Sequence, residues 1–192
     1  MTRSRRPSAE YEASYRSFLR ARGDRGSPRS PRTIFWPIVG HRLAGDLLVV
    51  GRAPNGWSVE WDATVDTSHD AIADAAAERR RASEGDGSDP MDWITWSEGI
   101  RTRYSTDDSA FWRVSRRVRA GLIGESEDWP RDLAWTDLAK IAPWGGGNPT
   151  GRALQVQREH APALFAREVA EIAPARVLVM AGRWWPLRPH SI

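Results

Sequence analysis

Apolar residues along this chain fall into short continuous runs and into longer stretches with helical spacing. The continuous run at 47–50 is typical of a strand buried on both faces, as in a parallel sheet. The segment at 133–141 predicts a second strand, and the segment at 176–181 predicts a third, buried strand. Helical spacing at 9–22, 107–123 and 152–172, together with an alanine-rich segment at 71–83, predicts helices before and between these strands. This order predicts an α/β protein with three layers, α/β/α, around a short, mostly parallel central sheet.

Two of the predicted helices carry specific packing expectations. The helix at 107–123 is predicted to follow Thr106 as its N-cap and to turn one apolar stripe toward the core. That stripe consists of Phe111, Val114, Val118 and Leu122. In the helix at 152–172, Pro162 predicts a kink or a split, because a proline inside a helix costs about 3 kcal/mol.

Composition excludes several kinds of site. The 192 residues contain no cysteine, which excludes disulfides, thiolate zinc sites, cysteine nucleophiles and cysteine-bound iron–sulfur clusters. The four histidines lack zinc spacing, and dinucleotide and Walker motifs are missing, so neither a metal nor a cofactor is expected. No apolar stretch is long enough to cross a membrane, and the arginine-rich N-terminus lacks the apolar core of a signal peptide. We therefore expect a cytoplasmic protein without a membrane partner.

Charge is unevenly distributed, although the net charge is only +3. Residues 1–33 carry nine arginines against three acidic residues, and we expect a basic helix and linker there, ahead of an α/β domain at 34–192. The predicted α-helix at 107–123 carries candidates for contacts with a DNA backbone, which are Arg113, Arg116 and Arg117. The same pattern is also typical of a solvated helix face, so a nucleic-acid partner is one of two interpretations.

Two segments at predicted strand ends carry candidate chemistry, because open α/β sheets bind ligands beyond the carboxyl ends of their strands. The loop at 51–57 (GRAPNGW) combines glycines, a proline and an aromatic side chain. It favours binding of a phosphate or stacking of a base, or it is an ordinary connection. Asp137 lies late in the second predicted strand, where its carboxylate would orient a base or a water molecule, or cap a turn.

Four blocks of the sequence, in their order and spacing, resemble the uracil-DNA glycosylase superfamily. They are LLVVGRAPNG at 47–56, AWTDLAKI at 134–141, Asn148-Pro149, and REVAEIAPARVLVMAG at 167–182. In that family a first strand delivers a loop with the water-activating residue, and a second strand delivers an Asn that reads the edge of the base. The resemblance implies a protein that binds or excises a damaged base extruded from DNA, by hydrolysis of the N-glycosidic bond.

The resemblance and the composition of the loops at the strand ends together indicate two sets of site residues. The base- or ligand-binding set is Gly51, Arg52, Ala53, Pro54, Gly56, Trp57, Trp144 and Asn148, and the catalytic set is Asn55, Asp137 and His190. Arg52 and Ala53 stand where the family keeps its water-activating residue, and neither side chain accepts a proton. Asp137 stands at the base-reading Asn, and an ionised carboxylate accepts hydrogen bonds but donates none. The alternative is a non-catalytic interaction module, or a nucleotide- or small-ligand-binding module, on the same fold.

Overall fold

The structure is a computed structural model, and it describes residues 8–22, 32–43, 47–54, 60–61, 89–95, 105–143 and 146–182. In this part of the chain, helices run over Ala9–Arg22 (α1), Ala110–Ile123 (α2) and Gly151–Ile172 (α3), and a 3-10 helix covers Trp129–Asp132. The strands are Arg32–Ile34 (β1), Ile38–Val39 (β2), Leu47–Gly51 (β3), Glu60–Trp61 (β4), Leu133–Asp137 (β5), Ile141–Pro143 (β6) and Arg176–Val179 (β7). The α/β class is thereby confirmed. The helix predicted at 71–83 lies outside the described residues.

The three predicted apolar strands meet in one sheet. β3 pairs in parallel with β5 on one side and with β7 on the other, and β2 adds an antiparallel strand beyond β5. The order is therefore β2-β5-β3-β7, and a second, antiparallel sheet has the order β4-β1-β6. The sequence does not predict β1, β2 and β4, because segments of two or three residues are too short to show a periodicity.

Alternate residues of β3 face two apolar clusters on opposite sides of the sheet. Leu48 and Val50 pack in the cluster that contains α1 and α3, whereas Leu47 and Val49 pack in the cluster that contains Trp112 of α2. Every residue of β3 is buried, which explains its continuous apolar run.

The N-terminal helix α1 belongs to the first of these clusters. Tyr11, Tyr15 and Phe18 are buried in it, and Glu10 pairs with Arg167 of α3 at the surface. These contacts join α1 to the same core as the sheet. The division into a basic segment at 1–33 and a domain at 34–192 stays a prediction.

The apolar stripe predicted for α2 is correct for Phe111 and Val118, which pack against the core, and wrong for Val114 and Leu122. Val114 and Leu122 are 41% and 38% exposed. The buried residues of α2 are instead Trp112, Ser115 and Arg119. Arg119 is buried because its guanidinium pairs with the buried carboxylate of Asp132 in the 3-10 helix. The helix therefore turns a charged residue inward, which apolar spacing alone does not reveal.

Three other predictions need correction. The N-cap of α2 is Ser109, and the Thr106 hydroxyl instead donates to the backbone oxygen of Ile94 at 2.8 Å. The single strand predicted at 133–141 is two strands, since the chain leaves β5 after Asp137 and the backbone of 138–139 bonds to the end of β3. The strand predicted at 176–181 is partly exposed rather than buried, since β7 pairs only with β3 within the described residues.

The helix α3 passes through Pro162 without the predicted split. Ala161 and Leu164, on either side of this position, are buried against the sheet. This packing offsets the cost of the hydrogen bond that a proline removes. The helix ends at Ile172, because the next residue, Ala173, has a φ of 47° and is followed by Pro174.

Candidate functional site

The loops that follow β3 and β5 leave the sheet side by side. Gly51, the last residue of β3, lies opposite Asp137, the last residue of β5. Beyond the strands, the Leu138 N–H donates to the carbonyl of Gly51 at 3.1 Å, and the Ala139 N–H donates to that of Arg52 at 3.0 Å. The carboxyl ends of the two strands are therefore held together by backbone hydrogen bonds.

The loop after β7 begins at the same edge. The Met180 N–H donates to the backbone of β3 at 2.8 Å, and Gly182 follows two residues later with a φ of 59°. A Cβ atom at Gly182 would lie 3.8 Å from Nη2 of Arg52, so the Arg52 side chain extends toward the end of β7. All three parallel strands thus contribute to one edge, the position at which open α/β sheets bind ligands.

The Asp137 carboxyl is a polar group buried at this edge. It shares the α2 side of the sheet with Trp135, and only 2% of the residue is exposed. A Cβ atom at Gly51 would overlap its Oδ1, so the close packing requires glycine there. The same Cβ position lies 3.3 Å from Cε2 of Phe111, at the start of α2. Within the described residues, Oδ2 of Asp137 has no hydrogen-bond partner.

The only lysine of the chain is buried on the opposite side of β5. Lys140 Nζ lies 2.8 and 2.9 Å from the two oxygens of Glu168, and it donates to the Thr136 hydroxyl at 2.6 Å and to the backbone oxygen of Asp137 at 2.5 Å. Glu168 also accepts from the hydroxyls of Tyr11 and Thr136, both at 2.7 Å. The buried ammonium and carboxylate therefore compensate each other.

Because Lys140 is paired with Glu168, the Asp137 carboxyl has no ion-pair partner of its own in the described structure. Burial raises the pKa of Asp137 from 3.8 to about 7; the Lys140 ammonium and the Trp135 indole lower this pKa only in part, and the Glu168 carboxylate raises it further. At neutral pH about half of the molecules then carry the neutral acid.

Protonation changes the hydrogen bonds that Asp137 can form, because the ionised carboxylate only accepts them. A neutral carboxyl has one O–H donor and one carbonyl acceptor. It thus presents the same pair of groups as the amide of the Asn for which it stands in the resemblance. The sequence does not reveal this state, because the pKa depends on burial and on where the lysine is directed.

The predicted site residues are only partly brought together. Gly51 and Pro54 are buried, Ala53 is half-buried against the α1–α3 cluster, and Arg52 is exposed next to the Asp137 edge. Asn148 is exposed in the loop before α3. Five predicted residues lie outside the described part of the chain, namely Asn55, Gly56, Trp57, Trp144 and His190.

The surface of α2 carries the three arginines predicted to contact a DNA backbone, which are Arg113, Arg116 and Arg117. All are exposed. The Arg113 guanidinium donates to the carbonyls of Asp107 and Asp108 at 3.0 and 2.9 Å, so it also stabilises the turn before the helix. Since α2 packs on the side of the sheet that holds the Asp137 carboxyl, these cations lie on that side of the sheet, on the solvent-facing surface of the helix.

No group of three or more acidic or histidine side chains in the described ranges is arranged to hold a metal ion. His41 is near one acidic side chain: its Nδ1 lies 3.8 Å from an oxygen of Asp89, and its backbone N–H donates to the same oxygen at 2.6 Å. None of the helices that the structure describes is long and apolar enough to cross a membrane.

Two contributors to this region were not identified as such from the sequence. The apolar spacing of α2 indicates only a core role for Phe111, whereas its ring lies beside Gly51 and Asp137. Glu168 carries no local signal at all, because its partner Lys140 is 28 residues away in the sequence. The isolated lysine in an arginine-rich chain was the available hint that position 140 has a specific task.

Comparisons with known proteins add no relative: no family model matches the chain, and neither curated proteins nor solved structures give a significant match. The geometry of the Asp137 edge and the four resembling blocks are therefore what support a function.

Proposed function

We propose that this chain is a uracil-DNA glycosylase-like protein that binds a base of DNA at the carboxyl edge of β3, β5 and β7. The observation that carries the proposal is the contact of Gly51 with the buried Asp137 carboxyl, at the end of two parallel strands. The proposal takes the fold as a three-layer α/β/α arrangement with a short, mostly parallel sheet. The apolar clusters on both faces of β3 support this arrangement.

The residues around this edge supply what binding of an extruded base requires. Asp137 offers hydrogen-bonding groups for the edge of the base, and the ring of Phe111 offers an aromatic surface next to it. The exposed arginines of α2, on the same side of the sheet, offer positive charge for the phosphate backbone. Stacking and backbone contacts do not distinguish one base from another, so selection of a particular base depends on the hydrogen bonds to its edge.

Excision of the base is the less favoured part of the function. Hydrolysis of the N-glycosidic bond needs a group that accepts a proton from water. Arg52 stays protonated and Ala53 has no polar side chain, and these residues occupy the water-activating positions of the resemblance. We therefore propose base binding without efficient hydrolysis.

The test uses short single-stranded oligonucleotides that carry one uracil, one hypoxanthine or only the normal bases. Fluorescence anisotropy should show tighter binding to one of the modified oligonucleotides. If three phosphates are contacted, binding should weaken about 20-fold between 50 and 200 mM salt. Arg117→Gln should reduce this salt dependence, whereas Arg158→Gln, exposed on α3 across the sheet, should leave it unchanged. Alkaline cleavage followed by gel electrophoresis should reveal no excision.

Two results would argue against this function. Equal, salt-insensitive binding to all oligonucleotides would refute it, and tight binding of free nucleotides alone would favour a small-ligand module on the same fold. The double variant Arg52→Glu, Asp137→Asn adds a proton acceptor and an amide at the two positions in question. Gain of excision by this variant would support the assignment of the site.

A further inference from the structure

We propose that Asp137 recognises the lactam edge of a base as a neutral carboxylic acid, so that the base binds only while this carboxyl carries its proton. The inference rests on the proposed base-binding function and specifies the part of the ligand that is read. That part is a lactam edge, in which a ring N–H stands beside a carbonyl oxygen. Binding at the site would then depend on pH.

The packing around the carboxyl supports the neutral form. Asp137 is 2% exposed and lies against Gly51 and Phe111, neither of which carries a polar side chain. Its Oδ2 has no partner within the described residues. Only the Trp135 indole and the Lys140 ammonium favour an ionised carboxylate in these surroundings, and their effect on the pKa is smaller than that of burial. A neutral acid costs much less to bury.

The charged groups near this carboxyl do not restore the ionised form. Lys140, directly after β5, lies on the other side of the strand and is held by Glu168 of α3. From the loop after β3, the exposed Arg52 extends toward the end of β7. The side chain that α2 places here, Phe111, is uncharged. Burial remains the largest influence on Asp137 and holds its pKa near 7.

A neutral carboxyl and a lactam edge are complementary. The O–H of the acid donates to the carbonyl oxygen of the base, and the acid carbonyl accepts the ring N–H. Ionisation removes the donor and places negative charge opposite the carbonyl oxygen of the base, so one hydrogen bond is lost and a repulsion is added. The buried Oδ2 of Asp137, which has no hydrogen-bond partner in the described residues, is the atom to which such a base would add a hydrogen bond.

The experiment measures the affinity for a fluorescein-labelled single-stranded oligonucleotide with one central uracil at pH 6 and pH 8. With a pKa of about 7, the neutral fraction of Asp137 falls about tenfold between these values, so the apparent Kd should rise about tenfold. Asp137→Asn keeps a donor and an acceptor at every pH, and its Kd should be nearly the same at both. An oligonucleotide with 3-methyluracil, which lacks the ring N–H, should bind the wild-type protein like one with an abasic site.

The outcomes separate this inference from the function on which it rests. Uracil-dependent binding with the same pH dependence in the wild type and in Asp137→Asn, or undiminished binding of 3-methyluracil, overturns the inference and leaves base binding intact. Binding that does not distinguish uracil from an abasic site at either pH overturns both. Circular dichroism at both pH values verifies that each variant is folded. A tenfold loss confined to the wild type supports the proton-dependent reading of the base.

Discussion

Replacing Asp137 by Asn should change how the folding stability of this protein depends on pH, whatever ligand the site binds. The carboxyl is buried without an ion-pair partner in the described structure, and its pKa is about 7 in the folded state against 3.8 in the unfolded chain. The folded state thus holds this proton more tightly than the unfolded state does. The resulting stability is fully present below pH 4 and is lost progressively as the pH rises through about 7.

The size of the effect follows from the two pKa values. A tenfold difference in proton affinity is worth about 1.4 kcal/mol, so the rise from 3.8 to about 7 amounts to about 4 kcal/mol in total. Between pH 5 and pH 8 the wild-type protein should lose about 3 kcal/mol of this contribution. An Asn at position 137 has no proton to release in this range, so the variant should lose none of it.

Urea unfolding of both proteins at pH 5 and pH 8, at equal ionic strength, measures this difference. Groups other than Asp137 titrate in both proteins and cancel in the comparison. Asp108→Asn is the matched control, since Asp108 is exposed before α2 and its loss should leave the pH dependence of the wild type unchanged. An equal change in the free energy of unfolding for the wild type and Asp137→Asn would refute the account of a neutral, buried carboxyl.

The other predictions concern the packing around the site and its surface charge. Lys140→Met should cost about 3–5 kcal/mol in urea unfolding, because it leaves Glu168 buried without its counter-ion. Adding Glu168→Leu should recover most of this loss, and simple additivity of the two changes would contradict the pairing. Gly51→Ala should cost about 1–3 kcal/mol, because a methyl group overlaps the Asp137 carboxyl. By contrast, Gly121→Ala in α2, with open space around it, should stabilise the fold by about 0.5–1 kcal/mol in thermal unfolding. In anisotropy titrations with single-stranded DNA, Arg117→Gln should lower the slope of log K against log salt by about 0.7 if the residue contacts one phosphate, and it should leave the preference for uracil unchanged.

The spacing of apolar residues predicted helices and strands correctly where burial alone dictates which residues are apolar. The segment at 9–22 was predicted from four apolar residues and is a helix over the same range, because each of these residues is buried against α3 and the sheet. The run at 47–50 was predicted as a strand and is the centre of the parallel sheet, since both faces of β3 are covered. Burial on one helix face, or on both strand faces, leaves a signal in the sequence itself.

The same reasoning failed where a contact between distant residues decides the structure. Arg119 is buried in α2 because Asp132 compensates its charge, so Val114 and Leu122 are turned toward solvent. The strand predicted at 133–141 ends at Asp137 because the backbone beyond it bonds to the loop after β3. Neither partner is recognisable from local spacing.

The sequence by itself determined the α/β class, the three strands that pair in parallel, and the location of Gly51 at a strand end. These features depend on the order of apolar segments and on which residue follows each of them. Only the tertiary structure decided that Lys140 is directed to Glu168, that Phe111 approaches Gly51, and that the Asp137 carboxyl is left without a counter-ion. The physical reason is that the protonation of a buried acid depends on solvent exclusion and on nearby charges in three dimensions. Residues far apart in the chain create both conditions.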